Sequence, residues 1–234
     1  MEAILLAGGK GERLGDAARG RPKPLVPIAG RPLAAYQVGQ LVAAGVRRVI
    51  VSCAEGTGHL FERALAGLGA EVVIAPEAEP LGRGGGLRHA ATRRREAGPV
   101  FALNGDELVD LDFGALLERH RARRPAATVT VVPLKSAFGV VDVADDDVVT
   151  GFREAPRLPF WVSCGVYILD DEALARLPER GDHEVSTFPA LAAERRLRAF
   201  RHEGDWITVN TAKDLRSAEE FLATNPDWLP AGAR

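Results

Sequence analysis

Apolar residues run unbroken through Ala3-Ile-Leu-Leu-Ala7 and stop at Gly8-Gly9, the pattern of a buried strand that empties into a loop. Downstream, Ala34, Val38, Leu41 and Val42 recur at helical spacing until Gly45 stops the run, so 33–44 is expected to be a helix. A second buried strand over 46–53, a short helix over 58–68 and a third strand over 70–75 extend the order to β-α-β-α-β. Alternation of this kind, with continuous apolar strands, argues for a mostly parallel sheet covered on both faces.

A glycine-rich turn, Glu77-Ala-Glu-Pro-Leu-Gly-Arg-Gly-Gly-Gly-Leu87, is then expected to lead into a helix reaching about residue 96. The stretch 99–112 reads as a fourth strand ending in a turn, and Asp112 as the N-cap of a helix whose Phe113, Leu116, Leu117 and His120 share a face. After residue 126 the pattern turns β-rich. A strand over 127–132 precedes two alternating runs, 138–143 and 148–154, and the Asp145-Asp-Asp147 triplet between them reads as a solvated hairpin turn rather than a metal site. Another buried strand covers 160–169, with helices over 171–177 and 186–195. Thr211 and Asp214 make a capping box for a last helix that carries Leu215, Ala218 and Leu222 inward, and the Pro-containing tail after Asn225 reads as a poorly ordered terminus.

Composition narrows the partners. Of 234 residues 46% are hydrophobic, ample for a core, while a net charge of −2 gives no general attraction to nucleic acid or an anionic membrane. The arginine-rich stretches at 93–95 and 119–124 read as solvated helix faces. The chain opens directly in a strand and has no apolar run of bilayer length, so a cytoplasmic protein is expected. Cys53 and Cys164, far apart and without metal-ligand spacing, read as reduced core residues.

The chemistry concentrates in the first loop. Backbone N–H groups of Gly8, Gly9 and Gly11, followed by Arg13 and by Lys23 between two prolines, suit a phosphate ligand. The loop lacks the Gly-Lys-Ser/Thr ending of a Walker A motif. A dinucleotide fingerprint is excluded as well, since Leu14 stands at its third small residue and Pro22, Pro24 and Pro27 prevent an immediate helix.

Gly-Gly-x-Gly-x-Arg-Leu, a spacer and Pro-Lys-Pro-Leu closely resemble the signature of the sugar-1-phosphate nucleotidyltransferases, in particular the mannose-1-phosphate guanylyltransferase-like branch. The resemblance implies a Rossmann-like, three-layer α/β/α fold with a mixed, mostly parallel sheet. It implies one domain over 1–225, with a nucleotide-binding half over 1–125, a β-rich acceptor half over 126–225 and a tail over 226–234. Arg13 and Lys23 would then grip the triphosphate of a nucleoside triphosphate, with Leu6, Ala7 and Gly8 along its base and ribose and Gly9 and Gly11 completing the nucleotide site. Glu79, Pro80, Leu81 and Gly82 would read the base, and Asp106 of Asn104-Gly-Asp106 would carry Mg²⁺ as the cofactor. On the acceptor side the resemblance points to Asn104, Gly139, Glu154 and Ser163 as contacts to a sugar 1-phosphate, and to a homodimer as a candidate assembly.

Three positions depart from the family pattern. Ala155 stands where the family has the Lys that holds the sugar phosphate, Ser163 where it has Asn, and Thr208 where it has the second metal-binding Asp. Asp205, with Asp110, is the spare carboxylate that would compensate, and Arg83, which replaces a Thr, is the spare cation. The expected activity is transfer of a nucleoside monophosphate to a sugar 1-phosphate with release of pyrophosphate. GTP and a mannose- or heptose-type sugar are favoured by Pro-Leu-Gly and by a short chain lacking a β-helix extension. The alternative, resting on Ala155 and Thr208, is a non-catalytic nucleotide-binding or regulatory homologue.

Overall fold

The computed structural model describes residues 1–9, 14, 18, 20–226 and 228. The strands are β1 (Glu2–Ala7), β2 (Pro27–Ile28), β3 (Arg31–Pro32), β4 (Arg48–Ala54), β5 (Glu71–Glu77), β6 (Val100–Asn104) and β7 (Glu107–Val109), then β8 (Ala127–Lys135), β9 (Val140–Val143), β10 (Val149–Arg153), β11 (Arg157–Leu169), β12 (Leu197–Arg201) and β13 (Trp206–Thr208). The helices are α1 (Leu33–Ala43), α2 (Gly58–Leu65), α3 (Gly82–Ala91), α4 (Phe113–Arg123), α5 (Asp171–Ala175), α6 (Thr187–Ala193) and α7 (Ala212–Thr224).

Seven strands form one sheet in the order β12-β8-β11-β6-β1-β4-β5, and β11 is its one antiparallel strand. Residues of β1 alternate between the two sides of that sheet. Ala3, Leu5 and Ala7 join a core with Phe61, Phe113 and Leu116 of α2 and α4, while Ile4 joins another with Leu87, Leu174 and Phe188 of α3, α5 and α6. The result is the expected three-layer α/β/α arrangement. A third, smaller core gathers Leu14, Val26, Ile28 and Val209 with Ala218 of α7.

Several local expectations hold. Asp112 caps α4 by accepting from the Ala115 N–H at 2.9 Å, and the Thr211–Asp214 capping box forms. The acidic triplet lies between β9 and β10 of an antiparallel hairpin. Both cysteines are free and buried.

The glycine-rich turn is corrected: the helix begins at Gly82 and ends at Ala91, so Gly84, Gly85 and Gly86 are helical. Glycine disfavours a helix by roughly 1 kcal/mol relative to Ala, so only packing explains this run. A Cβ on Gly84 would lie 2.8 Å from the His183 backbone nitrogen, one on Gly85 2.6 Å from the Glu179 carbonyl, and one on Gly86 2.9 Å from Glu77 Oε1. The helix is pressed against the 178–183 loop on one side and β5 on the other. The periodicity does not predict the β2–β3 hairpin, the edge strand β12 or β13, and the stretch 99–112 splits into β6 and β7, the latter pairing antiparallel with β13 beneath the site.

Candidate functional site

The carboxyl ends of β1, β5 and β6 open into a cavity of about 680 Å³ lined by Leu6 to Gly9, Lys23, Glu77, Pro80, Gly82, Arg83, Asn104 to Glu107 and Asn210. Ligands of open α/β sheets sit at this edge, where strand ends leave backbone groups unpaired. Close backbone approach builds the floor. A Cβ on Gly105 would stand 2.5 Å from the Leu6 carbonyl, and one on Gly8 2.9 Å from Glu77 Oε1.

Lys23 sits on a single 3₁₀ turn, Lys23–Leu25, fixed between Pro22 and Pro24. Although the residue is buried, its ammonium reaches the cavity, donating to Asp106 Oδ2 at 2.6 Å and to Asn210 Oδ1 at 2.8 Å. Those contacts join three distant parts of the chain. Gln37 of α1 locks the acidic turn by donating from Nε2 to the carbonyls of Asn104 at 2.7 Å and Glu107 at 2.8 Å. From the other side β13 pairs with β7, and the Val209 N–H donates to the Asp106 carbonyl at 3.1 Å. Asn210 is itself held by the cap of α7, its N–H donating to Asp214 Oδ2 at 3.0 Å.

Two carboxylates that the sequence reading left without a role are prominent here. Glu77 ends β5 and is buried, accepting from Ser52 Oγ at 2.7 Å and from the Leu81 N–H at 3.0 Å, so it shapes the loop beneath Gly8. Glu107 accepts from the Trp206 indole at 3.2 Å, and burial together with the adjacent Asp106 pushes its carboxyl up to about 7. Asn210 was also missed, because the resemblance draws attention to position 208. The one available signal was the placing of Glu107 and Asn210 inside motifs already singled out.

Of the residues expected at the site, Leu6, Ala7, Gly8, Gly9, Lys23, Pro80, Gly82, Asn104 and Asp106 come together in this cavity. Gly11 and Arg13 lie outside the described residues. Glu79 turns to the surface and pairs with Arg180 at 2.5 Å, while Leu81 has both its N–H and its carbonyl bonded within the protein. Gly139 and Glu154 lie together on the β9–β10 hairpin, where a Cβ on Gly139 would be 3.2 Å from Glu154 Oε2, and neither lines the cavity. Ser163 donates to the Tyr167 hydroxyl at 3.3 Å, and that hydroxyl donates to Glu184 at 2.8 Å.

The expected compensations take a different form. Asp205 is exposed, and Asp110 bonds His202 Nε2 at 2.5 Å, so neither lines the cavity with Asp106. Arg83 does line it, but its guanidinium is engaged by Asp182 and, at 2.7 Å, by Glu184. A cation already neutralised by two carboxylates is a poor substitute for the lysine missing at Ala155.

Behind this wall His183 is fully buried against Tyr167 and Phe188, with ring centroids at 5.2 and 4.7 Å, and neither of its ring nitrogens has a hydrogen-bond partner among the described residues. Burial lowers its imidazole to about 4, against the opposing pull of Asp182 and Glu184. The unfolded chain therefore binds a proton more readily. This contribution to stability is complete above the ordinary histidine value of about 6.5 and is lost as pH falls toward 4, on the order of 3 kcal/mol. Urea titrations from pH 7 to pH 4 are expected to show that loss in the wild type and a flatter profile in His183→Phe.

Backbone amides, one lysine and adjacent carboxylates thus meet at the carboxyl edge of an α/β sheet, a set of groups that could hold a phosphorylated ligand. The nucleotidyl transferase family matches residues 2–225, and the chain belongs to that family. It is 30% identical over 242 residues to mannose-1-phosphate guanylyltransferase of Mycobacterium tuberculosis, covering 98% of this chain and 65% of that protein. It is 32% identical over 222 residues to the mannose-1-phosphate guanylyltransferase catalytic subunit beta of Drosophila pseudoobscura pseudoobscura, covering 91% of this chain and 60% of that one. The chain thus spans just under two thirds of the length of these curated relatives. The crystal structure of HddC from Yersinia pseudotuberculosis, also solved in complex with GMP-PN, shares the fold with a TM-score of 0.73 at 24% identity, covering 94% of this chain and 99% of that one. No helix among the described residues is long and apolar enough to cross a membrane.

Proposed function

We propose that the chain transfers a nucleoside monophosphate from a nucleoside triphosphate to a sugar 1-phosphate, with GTP and a mannose- or heptose-type sugar as the favoured pair. The observation that carries this reading is the convergence of Lys23, Asp106 and Asn210 on the glycine-lined cavity, with Lys23 Nζ 2.6 Å from Asp106. Similarity to relatives named mannose-1-phosphate guanylyltransferases supports the choice of substrates.

In this reading the backbone of Leu6 to Gly9 cradles the nucleotide, and Arg13 and Lys23 take the triphosphate charge. A phosphate oxygen of the sugar 1-phosphate forms a bond to the α-phosphorus in line. The bond from that phosphorus to the bridging oxygen breaks, and the electron pair leaves on pyrophosphate. Alignment and charge neutralisation are the protein's share of the work. Hard oxygen donors suit Mg²⁺, which Asp106 would hold; the ion, when bound, neutralises the phosphate oxygens. Asn104 fits such a site, because its Oδ1 is buried with no hydrogen-bond partner among the described residues.

A second reading rests on Ala155 and Thr208, which supply neither a phosphate-binding cation nor a carboxylate. It makes the chain a binding-only or regulatory homologue. Pyrophosphate release, measured with Mg²⁺ across the four nucleoside triphosphates and a panel of sugar 1-phosphates, separates the two. Turnover is expected, highest with GTP; tight nucleotide binding with no turnover on any pair supports the second reading instead.

A further inference from the structure

Glu107 opens β7 and is the ladder partner of Thr208 on β13. Opposed residues of an antiparallel pair send their side chains to the same face, so the Glu107 carboxylate stands on the face where Thr208 offers only a hydroxyl. The diagonal neighbour Trp206 fixes it there through the 3.2 Å indole hydrogen bond. It also reaches across to β11 and fills the space over Gly165, whose positive φ of 71° and missing side chain leave room for it.

Asn104 braces the same carboxylate. Its amide nitrogen, 2.6 Å from where a Cβ on Gly165 would stand, faces the Glu107 oxygen that crowds that position and donates to it, which leaves the amide oxygen as the free end. The residue is only 9% exposed and lines the cavity, and its Oδ1 is orphaned among the described residues. A buried amide oxygen without a partner, beside two carboxylates of one turn, is the donor set that a hard, oxygen-seeking cation completes. Asp205 is exposed and Asp110 is bonded to His202, and neither lines the cavity.

We propose that Glu107 is the second carboxylate of the divalent-cation site, delivered by β7 into the space that its partner Thr208 leaves without charge. This rests on the nucleotidyl-transfer reading above. It makes the 107/208 pair an exchange of sides: the acid sits on the β7 strand of the ladder instead of the β13 strand.

The test is Mn²⁺ uptake by the full chain with GDP-mannose bound, read as loss of the free-ion electron paramagnetic resonance signal and compared with GDP-mannose alone. Glu107→Gln is expected to weaken protein-dependent uptake about tenfold or more, and adding Thr208→Asp to that variant to restore most of it. Circular dichroism melting confirms that each variant folds. Wild-type affinity in Glu107→Gln with loss in Asp106→Asn overturns the role of Glu107 and leaves the transfer reading standing. A rise in sugar-phosphate KM at unchanged Mn²⁺ affinity also overturns it, moving Glu107 to the acceptor. A wild type that takes up no Mn²⁺ beyond that held by the nucleotide sugar overturns the inference as well. Unaltered turnover in Asp106→Asn would instead strike at the transfer reading itself.

Discussion

Asp106→Asn is expected to lower turnover by about a thousandfold while leaving nucleotide affinity in the absence of metal unchanged or slightly tighter. The side chain does two things at once. It pairs with Lys23 at 2.6 Å, and in the proposed mechanism it holds the cation that balances the triphosphate charge. Asparagine keeps the shape and one acceptor oxygen but removes the charge, so the cost falls mainly on the transition state, about 4 kcal/mol for a thousandfold. Lys23, released from its anionic partner, is then freer to meet phosphate, which sets the sign of the binding effect. The loss of stability should be about 1–3 kcal/mol: the Lys23 side chain is only 10% exposed and loses its counter-charge, but it keeps Asn210 Oδ1 and the new amide oxygen as acceptors. Steady-state kinetics with isothermal titration of the nucleotide separates these effects. Lost turnover with lost metal-free nucleotide binding would mean that the substitution had disturbed the cavity instead.

The second large effect is expected on α3, behind the cavity wall. Gly85→Ala should destabilise the fold by about 2 kcal/mol, although Ala is the better helix former by roughly 1 kcal/mol. The added methyl would stand 2.6 Å from the Glu179 carbonyl and 2.9 Å from Leu81 Cβ, atoms of the chain that cannot rotate away. Overpacking of this kind costs about 1–3 kcal/mol, and a backbone contact belongs at the upper end, so the clash outweighs the propensity. Gly9→Ala is the matched control, since nothing lies within 4 Å of a Cβ there. Urea denaturation of the two variants should show a shift for Gly85→Ala and almost none for Gly9→Ala. Because α3 also carries Gly82 and Arg83 into the cavity wall, the first variant should lose nucleotide affinity as well.

These two positions show what the sequence discloses and what it conceals. The strand-to-glycine transition at Ala7-Gly8, the helix over Leu33–Ala43 and the Thr211–Asp214 cap are local signals, since the residues that specify them lie within a turn or two of one another. Gly82 to Gly86 carry a local signal of the opposite sense: by propensity they read as a loop, and their helical state depends on the 178–183 segment, about a hundred residues away. Likewise, Glu107 looks like an ordinary neighbour of Asp106 until β13 is laid beside it and Thr208 becomes its partner. The ion pairs that engage Arg83 are equally distant, with Asp182 and Glu184. Sequence spacing singled out residues suited to phosphate, and long-range pairing decides which of them meet in one cavity.

Transfer of the α-phosphoryl group is the central claim, and the most direct measurement follows that phosphorus. With GTP labelled at the α-phosphate, mannose 1-phosphate and Mg²⁺, the label is predicted to appear in a GDP-sugar while unlabelled pyrophosphate is released in equal amount. Label that stays in GTP, bound to the protein but never passed on with any sugar 1-phosphate, would contradict the transferase reading and leave a nucleotide-binding protein in its place.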